Sequence, residues 1–279
     1  MVGSKTVADL IAAFERWAHP SWQEKWDNCG WQVEPGILDA DAGVLVCLTP
    51  TMAVLKEAIA LREKGEPVTL ILAHHPLIFG GLSAVVAGDS VGDVVRGAIA
   101  HNIGIYTAHT NFDQVSNGTA DVLAQLLNLQ DAQPIERTGF EQGPMGEESP
   151  RGYGRVGNLT TAQPLQQLLE TLQTVLEPPR LLYSPAADLQ QSIARVAVLG
   201  GSGASYISAA KATGAQAYVT ADCKFHQFQE SRDQGLVLID AGHYATERPA
   251  CAQLVDWCVA QGSPWARLSR CDEDFRQFL

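Results

Sequence analysis

Short, mostly aliphatic runs recur along the chain and alternate with stretches of helical periodicity. One run, at residues 68–73, has six residues without a charge. A run of this kind is typical of a strand buried on both faces, as in a parallel sheet. Similar patterns predict further strands at 43–49, 103–109, 154–159, 180–183, 195–199, 217–220 and 236–239. Strands that alternate with helices predict an α/β fold.

Apolar residues spaced three and four apart predict the helices between these strands. In the first helix, at 7–17, Thr6 and Asp9 match a capping box. Further helices are predicted at 52–64, 91–101, from about 119, 164–176 and about 246–260. The last is expected to begin near Thr246, because Pro249 is tolerated only in the first turn of a helix.

Composition and charge describe a folded protein and exclude some classes of partner. Hydrophobic residues make up 46% of the chain and charged residues 18%, which is ordinary for a globular protein. A net charge of −12 leaves no basic stripe for nucleic acid and no attraction to anionic membranes, so we expect neither partner. The chain shows no signal peptide and no apolar run of about 18 residues, so we expect a cytoplasmic protein.

The length and one composition change predict two domains. At 279 residues the chain has room for roughly two domains. Gln-Pro, Gly-Pro and Glu-Glu-Ser-Pro crowd residues 131–150, which we interpret as a linker. The β–α elements that follow predict a second α/β domain. Six cysteines without a Cys-x-x-Cys motif favour buried reduced thiols over a disulfide framework.

Two adjacent histidines follow the predicted strand at 68–73. Pro76 cannot donate to a sheet ladder and favours an extended or turn conformation at His75, so the strand should end here. His74 and His75 can then fan out toward two neighbouring metal ions at the edge where open α/β folds bind ligands. The alternative is a pair of loop histidines that only make hydrogen bonds.

Other strand ends carry potential metal ligands as well. His109 ends one predicted strand, and Asp113 follows it in an unusually long loop of the kind that carries function. His243 and Glu247 straddle a predicted loop-to-helix junction. Four imidazoles and two carboxylates suit zinc, iron, manganese or nickel better than calcium or magnesium. Two carboxylates can also bridge a pair of ions, so we predict a metal site. By contrast, His19 and His101 are interpreted as structural residues at helix ends.

Three further motifs each leave two interpretations open. The aromatic-rich turn at 26–33, which contains Asp27 and Asn28, is either structural or lines a site. The glycine-rich loop around Ser202 either cradles a phosphate or packs as a tight turn, and packing is favoured. Strand alternation predicts that three residues point to the same side of the strand: Asp222, Lys224 and His226. They either form an ion-pair and hydrogen-bond cluster or contact a substrate.

Taken together, these motifs resemble those of the Nif-three-like family, which is often described as GTP cyclohydrolase 1 type 2. The resemblance covers about residues 7 to 260 and is carried by six motifs in order: Trp26-Asp-Asn-x-Gly30, His74-His-Pro-Leu-Ile-Phe79, His109-Thr-x-x-Asp113, Gly200-Gly-Ser-Gly203, Thr220-x-Asp-x-Lys-x-His226 and Gly242-His-Tyr-x-Thr-Glu247. One departure is Ala221, where we expect a glycine.

The resemblance implies two interlinked three-layer-type α/β domains, with a metal site between them at the C-terminal ends of strands. It implies a hexameric ring and two divalent ions held by His74, His75, Asp113, His243 and Glu247. Glu247 and His109 are the implied catalytic residues, and His109 orients a ligand or moves a proton. If the last strand and helix rejoin the first domain, the domains are 1–130 with 236–279 and the inserted 131–235.

The resemblance also implies a metal-dependent hydrolase that opens the imidazole ring of GTP. The expected small-molecule ligand is a nucleotide or phosphoester, and its candidate contacts are Asp27, Asn28, Ser202, Asp222, Lys224 and His226. The alternative is a non-catalytic metal-handling or regulatory protein. Such a protein binds metal ions, with or without a nucleotide, and catalyses no reaction. The same ligands serve both functions.

Overall fold

The computed structural model describes residues 4–142, 147–184 and 188–279, and it has the predicted mixed α/β architecture. Its elements in chain order are α1 (Val7–Trp17), β1 (Gly30–Val33), β2 (Gly43–Cys47), α2 (Met52–Glu63), β3 (Val68–Ala73), α3 (Ser90–Ala100), β4 (Gly104–Thr107), α4 (Thr110–Asp113), α5 (Thr119–Leu126), β5 (Gln130–Gln133), β6 (Glu136–Gln142), β7 (Glu148–Tyr153), β8 (Arg155–Pro164), α6 (Leu165–Leu176), β9 (Leu182–Tyr183), β10 (Ser192–Val198), α7 (Ile207–Ala212), β11 (Ala217–Thr220), α8 (Phe225–Asp233), β12 (Val237–Asp240), α9 (His243–Ala260) and β13 (Trp265–Leu268).

The chain divides into two compact units. The first unit is Met1–Phe112 with Cys251–Asp274, and the second is Asp113–Ala250 with Phe275–Leu279. This division differs from the predicted boundaries, 1–130 with 236–279 and 131–235. Strand β12 pairs in parallel with β11, so it completes the second unit's sheet instead of returning to the first.

The first unit contains a five-stranded sheet in the order β1-β4-β3-β2-β13. Neighbouring strands are parallel except β1, which runs antiparallel to β4. The aliphatic residues of β3 are buried, as an uninterrupted apolar run predicts for a central strand. Because β3 and β4 are parallel neighbours, the residues that follow them meet at one edge of the sheet.

An aromatic cluster packs in the core of the first unit. Phe14 on α1 is fully buried, and its ring lies edge-on to Tyr106 at 5.8 Å and to Trp257 at 5.4 Å between centroids. The helix that carries Phe14 begins with the predicted capping box, because Thr6 Oγ1 accepts from the amide of Asp9. Aromatic packing therefore fixes α1 against the sheet.

The second unit contains a six-stranded sheet in the order β5-β8-β10-β11-β12-β9. Its central strands β10, β11 and β12 are parallel, and the three outer strands pair antiparallel to their neighbours. The loop after β10, the turn after β11 and the start of α9 after β12 therefore leave the sheet at the same edge. This edge carries Gly201, Asp222 and His243.

Residues 131–150 are not the predicted linker. Strand β5 begins at Gln130, and β6 pairs antiparallel with β7, while residues 143–146 lie outside the described residues. The sequence pattern did not indicate these strands, because neither contains an apolar run, although β6 is largely exposed and β7 is buried at 151–153.

Helix α9 begins at His243, three residues before the predicted start at Thr246. Pro249 therefore lies in its second turn, where it lacks the N–H that would donate to the carbonyl of Ala245. The connection after β4 also differs from a plain loop, because α4 forms one short turn that ends at Asp113.

The six cysteines all lie in the described residues and are free thiols. Three are buried, as predicted, whereas Cys29 and Cys223 are partly buried and Cys271 is exposed. In the part of the chain that the structure describes, no helix combines the length and the apolar character needed to cross a bilayer.

Removing the Phe14 ring tests the aromatic core of the first unit. We expect Phe14→Ala to lower the free energy of unfolding by about 3–5 kcal/mol, because the Phe14 ring is fully buried and its removal would leave a cavity in the core. Phe225→Ala is the control, since that ring is 89% exposed and its loss should cost within about 0.5 kcal/mol. Denaturant unfolding measures both, and equal losses would contradict the assignment.

Candidate metal centre

Three histidines converge at the edge of the first unit's sheet. His74 and His75 follow β3, and His109 follows β4. One potential ligand atom from each lies within 4.8 Å of the other two. His74 is 1% exposed, and the other two are partly buried. Three imidazoles at this spacing are a donor set that suits zinc or another first-row transition metal.

The orientation of these imidazoles is set through their Nδ1 atoms. His74 Nδ1 lies 2.7 Å from the carbonyl oxygen of Ala108, which can only accept a hydrogen bond, so Nδ1 donates. His75 Nδ1 lies 2.9 Å from Thr49 Oγ1. These contacts leave Nε2 as the ligand atom, in the way that outer hydrogen bonds fix the tautomer of metal-binding histidines.

Asp27 holds the third histidine. Its Oδ1 accepts from His109 Nδ1 at 2.7 Å, and its Oδ2 accepts from the amide and hydroxyl of Thr110 at 3.1 and 2.5 Å. Burial alone would raise the pKa of Asp27, but its bond to His109, the charge of that histidine and further hydrogen bonds hold the pKa well below its usual range. Asp27 is therefore an anion that orients His109.

The turn around Asp27 lines the histidine group and is not only structural. Asn28 Nδ2 donates to the carbonyl of Ile78 at 2.8 Å, which ties the turn to the segment after His75. Cys29 Sγ donates to Asp27 Oδ2 at 3.2 Å, and burial followed by the Asp27 charge raises the pKa of this thiol to about 12. Cys29 is thus a protonated hydrogen-bond donor.

Two aromatic side chains stand exposed beside His109. Trp26 is 58% exposed and Phe79 is 65% exposed. Their ring centroids are 5.9 Å apart, and the Trp26 ring lies edge-on to the His109 imidazole at 6.0 Å. Exposed aromatic faces of this kind can stack against a planar ring.

The second unit contains its own histidine–carboxylate group at the start of α9. His243 Nε2 lies 2.8 Å from Glu247 Oε2, one helical turn further on. His243 Nδ1 lies 2.6 Å from Asp222 Oδ2. The two ring nitrogens therefore have different partners. Nδ1 contacts Asp222, which orients the ring, and Nε2 faces the buried carboxylate of Glu247.

The charges in this group are strongly coupled. Burial lowers the pKa of His243, but hydrogen bonds to Asp222 and Glu247 and their charges outweigh burial and raise it to about 10. The bond from His243 is the main reason that the pKa of Asp222 falls to about 2. The two carboxylates that flank His243 therefore stabilise its protonated form.

The glycine-rich loop makes room for Glu247. A Cβ atom built on Gly201 would lie 2.0 Å from Glu247 Oε1, and Gly201 has φ of +65°. The amide of Gly201 donates to Thr246 Oγ1 and that of Gly203 to Thr220 Oγ1, each at 3.0 Å. These donors serve the protein's own hydroxyls, which favours the packing role over a phosphate cradle.

The structure brings only part of the predicted substrate contacts together. Asp222 contacts His243 and accepts from Ser202 Oγ at 2.5 Å. Strand β11 ends at Thr220, so strand alternation does not continue to Lys224 and His226, which are exposed at the start of α8. The prediction that these three residues share one side was wrong for that reason.

The structure places Asp113 at the end of α4 and Ala221 directly after β11. Asp113 ends α4 and is not a member of the histidine group in the described residues. Ala221 is fully buried, and the left-handed residue in this turn is Asp222, with φ of +55°. A glycine is therefore not required at position 221.

Sequence reasoning missed two residues that the site uses. Thr49 holds His75, and its place directly after a strand could have revealed it, because β2 neighbours β3. Arg276 contacts Asp222 at 3.3 Å, but it lies in a closing segment without any pattern.

Comparison with known proteins identifies the family of this chain. A family model described as Duf34/NIF3 (NGG1p interacting factor 3) matches residues 5–260. The chain belongs to the DUF34/NIF3 family. The resemblance expected from the motifs is confirmed.

Relatives in this family share most of their length with the chain. A Nostoc protein named "GTP cyclohydrolase 1 type 2 homolog" is 61% identical over 273 residues, which cover 98% of each chain. A Streptococcus pneumoniae protein of the same name is 33% identical over 240 residues, covering 85% of this chain and 84% of the relative.

Solved structures of this family have the same fold. A Bacillus cereus protein related to NIF3 superimposes with a TM-score of 0.85 at 24% identity, covering 99% of both chains. A hypothetical protein from Staphylococcus aureus superimposes with a TM-score of 0.84 at 26% identity, covering 99% of this chain and 100% of the other.

An added methyl group at Gly201 tests the contact with Glu247. We expect Gly201→Ala to lower the free energy of unfolding by about 2–4 kcal/mol, because the methyl group would displace the buried Glu247 carboxylate from His243, which adds to the cost of positive φ. Gly65→Ala is the control, since Gly65 has φ of +90° and open space around a built Cβ. It should cost only about 1–2 kcal/mol. Equal losses in denaturant unfolding would refute the contact.

The raised pKa of His243 predicts how the stability of the metal-free protein depends on pH. The pKa is about 10 in the folded protein and about 6.5 when unfolded. The stabilisation is therefore complete below about pH 6.5 and is lost as the pH rises through about 10. After chelator treatment, wild type should have a higher free energy of unfolding than His243→Gln at pH 6. Between pH 6 and pH 10.5 this difference should shrink by about 1–2 kcal/mol, or roughly 2–8 °C in Tm. A constant difference would contradict it.

Proposed function

We propose that this protein binds two divalent metal ions and hydrolyses a planar heteroaromatic substrate, of which GTP is the leading candidate. The observation that carries the proposal is the group of three histidines, whose Nδ1 atoms contact protein oxygens and whose potential ligand atoms lie within 4.8 Å. A fourth histidine, His243, is paired with the buried carboxylate of Glu247 and adds donors of the same chemical class. Relatives named "GTP cyclohydrolase 1 type 2 homolog" support the reaction.

The proposed ligands are His74, His75, Asp113, His243 and Glu247. Imidazole and carboxylate donors fit zinc, iron, manganese or nickel. Asp113 and Glu247 would supply the carboxylates that offset the repulsion between two cations. Two bound ions would lower the pKa of a water molecule to near neutrality and polarise the bond that it attacks.

Side chains of the first unit supply the remaining steps. His109 is proposed to accept the proton of the attacking water at Nε2, while Asp27 holds its Nδ1 and stabilises the charge that develops. Trp26 and Phe79 offer exposed faces beside His109 for the ring of the substrate. Water then adds to the ring carbon between two nitrogens, and one carbon–nitrogen bond breaks to leave a formamide.

Metal analysis combined with a substrate survey tests this function. The protein as isolated should carry about two ions per chain, and GTP, other nucleotides and phosphoesters are then assayed by loss of ring absorbance or release of phosphate. We expect His75→Ala and Glu247→Ala to lower turnover at least about 100-fold. His19→Ala should leave turnover unchanged, since the His19 side chain contacts Ser21 at a helix end.

Two outcomes would overturn the proposal. A metal-loaded protein that turns over none of these substrates cannot be the hydrolase. A protein that gives up its ions to a chelator within minutes fits the metal-handling alternative instead. The hexameric ring that the family resemblance implies is part of the same proposal, and light scattering on the purified protein measures it directly.

A further inference from the structure

An arginine near the end of the chain contacts the group around His243. Arg276 lies in the closing segment, Phe275–Leu279, which belongs to the second unit. Its Nη1 atom is 3.3 Å from Asp222 Oδ1. The other carboxylate oxygen of Asp222 accepts from Ser202 Oγ at 2.5 Å and from His243 Nδ1 at 2.6 Å. The guanidinium and the imidazole thus bind opposite oxygens of one carboxylate.

The closing segment has anchors of its own. The guanidinium of Arg180 lies over the ring of Phe278, 5.0 Å from its centroid, and that of Arg276 lies 5.9 Å from the same centroid. A Cβ built on Gly242 would lie 3.7 Å from Arg276 Nη2, so the guanidinium packs beside the residue that precedes His243. Arg276 therefore reaches Asp222 from a segment that is held in place.

We infer that Arg276 and Asp222 are positioning residues for His243, and that the closing segment thereby sets how well His243 Nε2 is presented to a metal ion. This inference rests on the proposed metal-binding function. It goes further by assigning a role to Arg276 and by moving Asp222 from the predicted substrate contacts to the support of a ligand.

The geometry gives a physical reason for this role. A carboxylate that contacts only His243 and Ser202 through Oδ2 can turn about its side-chain bonds, and the imidazole turns with it. Arg276 binds Oδ1 and removes that freedom, since a carboxylate held at both oxygens has one orientation. Asp222 also adopts φ of +55°, which is uncommon outside glycine and points the side chain toward His243 at a backbone cost.

Charge balance supports the same assignment. Asp222 and Glu247 place two carboxylates around one imidazole. If Nε2 bound a divalent ion, Asp222 would still accept from Nδ1 and would make the imidazole a stronger donor to the ion. The contact of Arg276 with Oδ1 would not be interrupted, because it lies on the other carboxylate oxygen. A plain surface ion pair would contribute to stability only slightly, because both side chains are about 40% exposed.

Metal affinity in the full-length protein distinguishes positioning from surface pairing. Affinity for Co²⁺ is measured by visible absorption and for Zn²⁺ by competition with a chromophoric chelator. We expect Asp222→Asn to weaken binding about 10- to 100-fold and Arg276→Ala about 10-fold. Arg276→Lys should recover part of the loss, because it restores the charge without the planar fork.

The control is Arg232→Ala, which removes an arginine that is 44% exposed and pairs with Asp233 at 2.8 Å. It should leave metal affinity within about twofold of wild type. Thermal unfolding of all variants checks that each is folded. The imidazole ¹⁵N signals of His243 in the metal-free protein give a second readout, and Arg276→Ala should shift them whereas Arg232→Ala should not.

The possible outcomes separate the two claims. Suppose that wild type binds Co²⁺ and Zn²⁺, that the affinity of Arg276→Ala lies within twofold of wild type, and that its His243 signals are unchanged. This inference is then wrong and the proposed function stands. If wild type binds neither metal ion, the proposed function falls and takes the inference with it. A tenfold loss with displaced His243 signals supports the inference.

Discussion

Each histidine of the candidate site is held through Nδ1 by an oxygen of the protein. That oxygen is a main-chain carbonyl for His74, a carboxylate for His109 and His243, and the Thr49 hydroxyl for His75. Carbonyl and carboxylate oxygens cannot donate, so the proton that these three imidazoles share with them lies on Nδ1. Nε2 is then the atom that can bind a metal ion or, at His109, accept a proton, and the site depends on this assignment.

The oxygens that hold the histidines come from the same sheet edges as the histidines themselves. In the first unit, Ala108 follows β4, which is the parallel neighbour of the strand before His74. In the second unit, Asp222 follows β11, the parallel neighbour of the strand before His243. Parallel strands thus bring a ligand and its support together without any long-range loop, which explains why both groups lie at carboxyl ends.

The position of the Glu247 carboxylate depends on the absence of a side chain at Gly201 as well as on charge. Its carboxylate lies where a side chain at Gly201 would be, and Asp222 accepts a left-handed conformation to reach His243. The backbone around the second group is therefore shaped for its side chains. The first group instead exposes two aromatic faces to solvent, at Trp26 and Phe79, which a structural role alone does not explain.

The sequence by itself determined the buried strands, the residues at their ends and the family. Uninterrupted aliphatic runs such as 68–73 have one stable environment, and the ligand types after them indicate metal chemistry. Tertiary structure alone decided that β12 joins the second sheet, that the polar segments 136–142 and 148–153 pair as antiparallel strands, and that Asp222 supports His243. Strand partners and hydrogen-bond acceptors come from residues far apart in the chain, so local pattern does not contain them.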